Sequence, residues 1–413
     1  MKVFLRTFGC RANHYDSEVV RQTLEAAGAE LVATPADADV AVFNSCAVTA
    51  DAVADLRQAV RRAARENDAV RTVLMGCAAA LEPHALATLP GVRAVVPGAE
   101  WGELLPALGL SSAQAPVRGA QAGTRATLRV QDGCDEHCTF CATTLARGRG
   151  RSRPLAELVA EATALAEVHP EIVLTGIHLG HWGRELGLDL GRLVEALVDG
   201  VEGARFRLSS VEASELDERL VALLRSGERV VPHLHAPLQS GSDRLLKRMG
   251  RHWYTAERYA NAIERLAADR PVLGLGADVI TGFPGETEED HAATVALVER
   301  LPFTYLHVFP FSSRPGTAAE RLPDHLPPAV VARRAGELRA LGARKGAAYR
   351  SARVGGMAEV VVQGRGGTRE GLTEDYLSVS LADPGLPRGA RVTCRLELAG
   401  DRLQAVPVQE LSR

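Results

Sequence analysis

The chain has 413 residues, 46% of them hydrophobic, which suits two or three domains better than one. The formal net charge of −3 gives no overall nucleic-acid signature, so any RNA affinity must come from local patches. The sequence has no run of about eighteen apolar residues and no signal-peptide pattern, which predicts a cytoplasmic protein without membrane contact. Thiols stay reduced in that compartment, so the seven cysteines favour metal ligation over disulfides.

Residues 1–110 have the pattern of an open, mostly parallel α/β sheet. The runs KVFLRT, DVAVFN and AVRTVLMG predict buried strands, and helices are expected near residues 15–27 and 50–65. This β-α-β rhythm is typical of a small α/β domain. The following segment, 111–124, is rich in Ser, Gln, Ala and Gly and predicts a linker.

Three cysteines of this first region share one local context. Cys10, Cys46 and Cys77 each follow the end of a predicted strand, in FLRTFGC, AVFNSC and TVLMGC. Because the carboxyl ends of parallel strands lie along one edge of a sheet, the three thiolates are predicted to converge on a metal centre. The alternative is that they are small buried hydrophobes, as free cysteines often are.

Residues 125–325 contain six further strand candidates, and a helix-length stretch follows each of the first five. Six strands with such crossovers predict a partial (β/α)6 version of the eight-stranded barrel, with active residues at the carboxyl ends of the strands. The strand candidates are 127–131, 171–176, 205–210, 233–238, 274–281 and 304–311.

The most specific motif of the chain is a cysteine loop directly after the first of these strands. Cys134, Cys138 and Cys141 can wrap one face of an iron–sulfur cubane. With no fourth cysteine nearby, one iron would stay open for a substrate or cofactor, as in catalytic metal sites. The alternative is a zinc knuckle, but zinc sites usually have paired CxxC units, and here His137 is the only additional candidate ligand.

The later strands of the predicted barrel end in small or polar residues. Each end is a weak signal, but together they predict a cofactor pocket, because glycines leave room while carboxylate and hydroxyl groups suit ribose and ammonium groups. The predicted cofactor-binding residues are Gly176, Ser210, Glu212, Gln239 and Gly282.

Two basic segments are candidates for RNA contact. Residues 326–354 predict a basic helical linker, for which the alternative is an ordinary solvated helix face. The other segment follows the cysteine loop, where arginines alternate with Gly and Ser in a pattern that predicts a flexible cationic strip for phosphates. The predicted RNA-binding residues of this strip are Arg147, Arg149, Arg151 and Arg153.

Residues 355–413 predict a small all-β barrel. The runs AEVVVQG, GLTEDYLSVSL and ARVTCRLELAG alternate in hydrophobicity and are separated by turns rich in Gly and Pro. Cys394 shares a face with apolar residues of its strand and is predicted to belong to the core. The region is not net basic, so any RNA contact should be local, for example through the Gly364–Gly367 loop with Arg365.

Several of these segments resemble one family. The cysteine loop resembles the radical S-adenosylmethionine (SAM) superfamily, and GCRANHYDSE, NSCAVTADA and MGC resemble the N-terminal domain of its methylthiotransferases. PLQSGSDRLLKRMGRHWYT and DVITGFPGETEED are similar to the tRNA-modifying members. GIHLG and HVFPFSSRPGT resemble the branch acting on N6-threonylcarbamoyladenosine, and the C-terminal region resembles a TRAM RNA-binding barrel.

The resemblance implies an enzyme with SAM and two [4Fe-4S] clusters. It implies that Cys134, Cys138 and Cys141 hold the catalytic cluster, that SAM binds its open iron, and that Phe140 lies beside the adenine of SAM. The trio Cys10, Cys46 and Cys77 would hold an auxiliary cluster that carries sulfur. The implied reaction abstracts hydrogen from C2 of a tRNA adenosine, inserts sulfur and takes the methyl group from a second SAM. The implied partners are a tRNA anticodon stem-loop, an electron donor and a sulfur source.

Three alternatives remain at this stage. The first is the same chemistry on an aspartate of a ribosomal protein, against which the QSGS and GIHLG segments argue. The second is methylthiolation of N6-isopentenyladenosine in tRNA. The third is a non-catalytic iron–sulfur protein for RNA binding or electron transfer, which would need neither an open iron nor a six-strand pocket.

Overall fold

The computed structural model describes residues 1–111, 118–364 and 370–408, so Arg365 lies outside the described residues. The chain has a mixed α/β fold with a closed five-stranded barrel in its C-terminal region. Among the helices of the described ranges, none is long and apolar enough to cross a membrane.

The N-terminal region forms a five-stranded parallel sheet with the order β2-β1-β3-β4-β5. The three predicted strands are confirmed, whereas β2 and β5 were not predicted, because one has two residues and the other is a partly exposed strand at the sheet edge. The strands are β1 Lys2–Thr7, β2 Glu30–Leu31, β3 Val40–Ser45, β4 Arg71–Gly76 and β5 Val92–Pro97.

The helices of this region cover the sheet with apolar side chains. Leu56 and Val60 of the second helix pack with Phe43, while Val20 and Leu24 of the first helix pack in a second cluster. The helices are α1 Arg11–Ala26, α2 Ala50–Glu66, α3 Cys77–Leu81, α4 Pro83–Ala87 and α5 Trp101–Ala107.

The segment predicted as a linker is partly packed. Residues 118–124 lie within the described chain, and there Gln121 donates to the carbonyl of Thr127 at 2.7 Å. Its backbone N–H donates to Nε2 of His169 at 3.0 Å. These contacts attach the end of the segment to the first strand of the central region.

The central region contains six parallel strands in two three-stranded sheets with the orders β10-β9-β6 and β11-β12-β13, plus a short antiparallel pair of β7 and β8. The single bridge between Ser210 and His235 connects the two sheets. All six predicted strands are present. In chain order the strands are β6 Ala126–Arg129, β7 Gln131–Asp132, β8 Arg151–Ser152, β9 Glu171–Thr175, β10 Arg205–Leu208, β11 His233–His235, β12 Gly274–Thr281 and β13 Tyr305–Pro310.

Helices alternate with these strands and bury their apolar faces against the outside of the sheets. Several begin with a side-chain cap, such as Asp217 and Ser242, which accept from the backbone N–H three residues later. The helices are α6 Thr143–Arg147, α7 Leu155–Ala166, α8 Leu190–Gly200, α9 Glu218–Ser226, α10 Asp243–Arg248, α11 Ala256–Ala267 and α12 Glu288–Arg300. Short 3₁₀ helices lie at Pro35–Asp37, Leu179–His181, Arg184–Leu186, Ala213–Glu215 and Ala318–Arg321.

The predicted basic helix is α13, Pro328–Arg353. Its arginines are largely occupied by the protein itself: Arg334 is buried and pairs with Glu286 at 2.7 Å, and Arg353 pairs with Asp375 at 2.7 Å. These buried ion pairs hold the helix against its neighbours, an arrangement that neither the RNA-binding interpretation nor the solvated-face alternative predicted.

The C-terminal strands form a closed barrel with the order β14-β15-β16-β18-β17. The run GLTEDYLSVSL, predicted as one strand, is two strands, because a turn containing Tyr376 with φ 71° interrupts it. A last strand was not predicted. Cys394 is fully buried in the barrel core, which confirms its predicted place. The strands are β14 Met357–Val362, β15 Glu370–Thr373, β16 Ser378–Leu381, β17 Arg391–Ala399 and β18 Arg402–Pro407.

Candidate active site

The three N-terminal cysteines follow three neighbouring strands of one sheet. Cys10 precedes α1 just beyond β1, Cys46 directly follows β3, and Cys77 directly follows β4. Since β1, β3 and β4 are adjacent and parallel, their carboxyl ends bring the cysteines to one edge. The expected convergence of these residues at one sheet edge is therefore present.

Two glycines let the backbone approach closely at this edge. Gly9 has φ +99°, and a Cβ there would lie 2.6 Å from Sγ of Cys46. Gly76, before Cys77, has φ +93°, and a Cβ there would lie 2.5 Å from the carbonyl oxygen of Ser45. A side chain at either position would be strained and would collide with its neighbours.

Arg147 connects this edge to the central region. Its Nε donates to Sγ of Cys77 at 3.3 Å, and its Nη2 pairs with Asp16 at 2.9 Å. Its Nη1 pairs with Asp132 at 3.1 Å. Burial raises the pKa of the Cys77 thiol to about 11, and the Arg147 guanidinium acts in the opposite direction. The guanidinium thus suits a thiolate at Cys77.

The second cysteine trio lies in the loop between β7 and α6. The backbone N–H of Cys134 donates to the carbonyl of Gly148 at 3.0 Å, and that of Cys141 donates to the carbonyl of Cys138 at 3.0 Å. The intervening Thr139 donates its N–H to the carbonyl of Met249 at 2.9 Å. The loop therefore has a fixed path before any ligand binds.

A buried ion pair between residues that follow β10 and α10 packs against this loop. Arg251 Nη1 lies 3.5 Å from Sγ of Cys138, and its Nη2 pairs with Glu212 at 2.5 Å. The Trp253 indole also donates to Glu212. Burial raises the pKa of the Cys138 thiol to about 12, against the effect of Arg251. Glu212 is thus placed beside the cysteine loop, with Arg251 as its counter-ion.

A histidine pair lies on the other side of the loop. His178 Nδ1 lies 3.3 Å from Sγ of Cys134, and its Nε2 lies 2.8 Å from Glu215. Burial acts to lower the pKa of His178, but hydrogen bonds to Cys134 and Glu215 raise it to about 10. His181 stacks on His178 with 3.4 Å between ring centres. A protonated His178 would donate to a Cys134 thiolate.

Four of the predicted cofactor-binding residues line two cavities, and a fifth, Gly282, packs against a helix. Gly176 and Ser210 line a central cavity of about 520 Å³, and Phe140 and Gln239 line a side cavity of about 180 Å³. Gly282 is different: a Cβ there would lie 2.5 Å from the Val331 side chain of α13. Its lack of a side chain is thus required by helix packing, and because Gly282 also lines a separate cavity of about 460 Å³, its role as a cofactor contact stays a prediction.

The central cavity lies where the three regions of the chain meet. Cys10 and Cys46 line it from the N-terminal sheet, Ser209 and Ser210 from the carboxyl end of β10, and Tyr376 from the C-terminal barrel. Sequence patterns did not predict the contribution of Tyr376, because no local signal relates it to residues more than 160 positions earlier in the chain.

A polar network inside this cavity was also missed. His235 Nε2 and His307 Nδ1 lie 3.0 and 3.3 Å from the same oxygen of Asp278. The Tyr305 hydroxyl lies 3.1 Å from Nδ1 of His235. The alternation of polar and apolar residues along β11, β12 and β13 is a signal that could have revealed these inward-facing side chains.

The four-arginine strip is not a free cationic surface. Arg147 is buried in the ion pairs described above, and Arg153 pairs with Glu161 at 2.7 Å. Arg149 and Arg151 remain exposed, with side-chain exposures of 94% and 63%. The prediction of phosphate contacts is therefore wrong for Arg147, whose donors are used inside the protein, and it is weakened for Arg153.

Both cysteine trios fit an iron–sulfur cluster. Each offers three thiol ligands and no fourth cysteine, and each has a guanidinium 3.3 to 3.5 Å from one sulfur, an arrangement that suits thiolates. Cys394, the remaining cysteine, lies apart in the C-terminal barrel core.

Two family profiles match the chain. Residues 2–98 match the Uncharacterized protein family UPF0004, and residues 128–298 match the Radical SAM superfamily. The fold and the cysteine sites thus define a radical SAM enzyme. The radical SAM methyltransferase TsrM from Kitasatospora setae, solved with cobalamin and a [4Fe-4S] cluster, has a similar fold, with TM-score 0.58 and 18% identity over 77% of this chain and 76% of that one.

Curated relatives define the family more narrowly. The threonylcarbamoyladenosine tRNA methylthiotransferase MtaB of Aquifex aeolicus is 37% identical over 84% of this chain and 88% of its own length. A tRNA-2-methylthio-N(6)-dimethylallyladenosine synthase of Sphingopyxis alaskensis is 34% identical over 99% and 98% of the two chains. This chain belongs to the radical SAM methylthiotransferase family. It is an enzyme that transfers sulfur-containing groups, with SAM and two [4Fe-4S] clusters as cofactors.

Proposed function

We propose that this protein converts N6-threonylcarbamoyladenosine at position 37 of tRNA, next to the anticodon, to its 2-methylthio derivative. The observation that carries the proposal is the central cavity, which Cys10 and Cys46 line on one side and Ser209 and Ser210 on another. An adenine bound there would lie between the regions that carry the two cysteine trios. The identity to MtaB proteins supports the threonylcarbamoyl substrate.

The proposal includes a domain layout. Residues 1–110 would carry the auxiliary cluster, 125–325 would be a partial (β/α)6 radical SAM barrel, 326–354 a helical linker, and 355–413 a TRAM-like barrel. The match of the two family profiles to residues 2–98 and 128–298 supports the first two of these assignments.

The proposal also assigns the cluster ligands. Cys134, Cys138 and Cys141 would hold the catalytic cluster, and the N-terminal trio would hold the auxiliary one. When bound, SAM and the clusters supply the one-electron cleavage, the hydrogen abstraction at C2, and the sulfur and methyl groups.

The residues around the trios have separate tasks in this scheme. Arg251 and His178 donate hydrogen bonds toward catalytic-trio sulfurs, and Arg147 does so toward Cys77. Glu212 balances the charge of Arg251 and offers a carboxylate to the ammonium group of SAM. Phe140, which meets Phe283 edge-on at 6.4 Å, gives the side cavity an aromatic wall. The walls of both cavities exclude water from the reacting atoms.

The test uses anaerobically reconstituted protein with SAM, a reductant, sulfide and synthetic anticodon stem-loops. We expect a 2-methylthio product from the stem-loop with N6-threonylcarbamoyladenosine, detected by mass spectrometry of the nucleosides. Product only from a stem-loop with N6-dimethylallyladenosine would replace this function by that of the second relative. Absence of SAM cleavage with every substrate would contradict both.

A further inference from the structure

The central cavity contains a guanidinium that has no acidic partner. Arg11 lines the cavity beside Cys10, and its Nη2 donates to the Tyr376 hydroxyl at 3.0 Å. No carboxylate in the described parts of the chain lies within ion-pair distance of it. Asp278, the acid that also lines this cavity, already accepts from His235 and His307. Arg11 therefore retains donors for a ligand.

Tyr376 holds this guanidinium in place from the C-terminal barrel. Its ring lies 5.9 Å from the Arg11 guanidinium, stacks on His233 at 4.3 Å, and lies 5.3 Å from the guanidinium of Arg207. The backbone of Tyr376 has φ 71°, a conformation rare for a bulky residue, which the surrounding contacts must maintain. The contacts with Arg11, His233 and Arg207 therefore fix where the Tyr376 side chain lies in the cavity.

The same wall of the cavity is positive for a second reason. Arg11 is the first residue of α1, and residues 9–12 at this helix start line the cavity. The first turn of α1 contains no acidic residue, and Cys10 provides no side-chain cap. The positive end of the helix dipole and the Arg11 guanidinium thus act on the same space and favour an anion there.

We propose that Arg11, positioned by Tyr376, binds the carboxylate of the N6-threonylcarbamoyl substituent of the substrate. This inference rests on the proposed function and adds how the enzyme selects its nucleoside. A carboxylate and a guanidinium match in charge and in planar hydrogen-bond geometry. An N6-dimethylallyl group has no charge and would leave the guanidinium without its partner, so the site would also reject that substrate. SAM carries a carboxylate as well, and the experiment separates the two.

The experiment compares two stem-loops that differ in one group: the threonyl carboxylate and its carboxamide. For the reconstituted wild-type enzyme we expect kcat/KM to be roughly 10–100-fold higher with the carboxylate, the range for one charge-assisted hydrogen-bonding pair. Arg11→Gln should remove this preference by lowering kcat/KM for the carboxylate alone. Tyr376→Phe should lower the preference by a smaller factor, and Arg11→Lys should retain part of it.

Matched measurements distinguish the competing explanations. Arg61→Gln, an exposed change on α2, should leave the preference and both rates unchanged. The SAM dissociation constant should be the same for wild type and Arg11→Gln; a rise in that constant with an unchanged preference would assign Arg11 to SAM and overturn the inference. An equal loss of binding to both stem-loops, sensitive to salt, would make Arg11 a phosphate contact instead.

Three further outcomes would count against the inference. If Arg314→Gln, rather than Arg11→Gln, removes the preference, the carboxylate binds in the side cavity, where Arg314 is buried with its Nε unpaired. If the wild-type enzyme acts on the threonylcarbamoyl stem-loop but accepts the carboxamide equally well, the inference fails and the proposed function stands. If it acts only on the dimethylallyl stem-loop, the proposed function itself fails.

Discussion

The buried guanidinium of Arg147 contacts groups from both cysteine-bearing regions. It lies six residues after Cys141, yet its side chain reaches Cys77, Asn13 and Asp16 in the N-terminal region. The Arg147 guanidinium also forms an ion pair with Asp132, which lies just before the cysteine loop. A guanidinium with four such partners links the two regions and places positive charge beside the Cys77 thiol.

We predict that Arg147→Gln weakens the auxiliary site. Removing this guanidinium should cost about 1–3 kcal/mol, because Asp16 and Asp132 lose one arginine partner and keep Arg129, and Cys77 loses its hydrogen-bond donor. Two cubanes contain about eight iron atoms, and after reconstitution we expect this variant to hold fewer. SAM cleavage should be retained, because Cys134, Cys138 and Cys141 are unchanged. Arg149→Gln, at a fully exposed side chain, is the control; an equal loss of iron in both variants would contradict the prediction.

The two cysteine trios should be separable by mutation. Replacing Cys134, Cys138 and Cys141 with Ala should leave about four iron atoms and abolish formation of 5′-deoxyadenosine. The measurement is iron content together with chromatography of SAM cleavage products. Continued SAM cleavage in this variant would refute the assignment of the catalytic cluster.

The converse replacement tests the auxiliary site. With Cys10, Cys46 and Cys77 changed to Ala, SAM cleavage should persist while methylthio product falls below detection, because no sulfur-holding cluster remains. Full product formation would mean that these three cysteines do not hold a sulfur-carrying cluster.

At the residue scale, cysteines could be predicted from sequence and their partners could not. Each cysteine of the N-terminal trio follows an apolar run, so the sheet edge could be inferred from local pattern alone. Arg147 stands in an Arg-Gly repeat that is typical of a phosphate-binding strip, and only its distant partners Asp16 and Cys77 reveal its structural role. Long-range ion pairs leave no local signal in a single sequence.

At the element scale, the loop from Arg149 to Arg151 retains the exposed charge of the predicted strip. Arg149 and Arg151 should bind phosphates, and each contact should contribute about 0.7–0.9 to the slope of log affinity against log salt. We therefore expect the double change to Gln to lower the magnitude of the slope by about 1.4–1.8. The measurement is a salt titration of tRNA binding to wild type and the double variant. An unchanged slope in the variant would mean that the RNA phosphates contact other residues.

A buried acid at the start of β9 secures three elements together. Glu171 is fully buried and pairs with Arg205 at 2.8 Å, Arg207 at 2.7 Å and Arg125 at 3.1 Å. Burial alone would raise the pKa of Glu171, but the guanidiniums hold it well below its usual range. The carboxylate therefore stabilises the fold most where it is ionised in both the folded and unfolded states.

We predict that Glu171→Gln destabilises the protein by about 3–5 kcal/mol near neutral pH, because buried Arg207 loses its carboxylate partner and Arg205 is left with Glu359. Since the folded pKa is depressed, this difference from wild type should be constant above the unfolded pKa of about 4.3 and should shrink as pH falls below it. Unfolding curves of both proteins from pH 7 to about pH 2.5 measure this difference. If the stability difference between wild type and Glu171→Gln grew as pH fell, the predicted direction of the pH dependence would be wrong.

Most strands were predictable from the sequence, whereas β2, β5 and β18 were not. The strand β3 is buried along its whole length and therefore reads as a continuous apolar run. The strand β5 lies at a sheet edge with Val96 as its one buried residue, and β18 mixes polar and apolar residues, so neither is a continuous apolar run. The break in GLTEDYLSVSL depends on Tyr376 in a left-handed conformation, which residue type alone does not indicate.

At the scale of the whole molecule, the C-terminal barrel is attached to the radical SAM region through buried charges. Arg205 pairs with Glu359 at 2.7 Å, and Arg207 donates to the carbonyl of Thr373 at 3.1 Å. Asp375 accepts from Arg353 of α13 and from the Tyr349 hydroxyl. The barrel is thus part of the wall and support of the central cavity as well as a candidate RNA-binding module.

Ending the chain after residue 354 should therefore lower the stability of the remaining protein and not only its RNA affinity. Three arginines at 205, 207 and 353 would lose partners, at about 1–3 kcal/mol for each buried group left unsatisfied. We expect a lower thermal unfolding midpoint and loss of methylthio product, since Tyr376 leaves the cavity with the barrel. The control Arg395→Gln with Glu397→Gln changes exposed residues of β17 and should leave the midpoint unaltered. An unchanged midpoint in the truncated chain, with weaker tRNA binding alone, would instead make the barrel an independent RNA-binding unit.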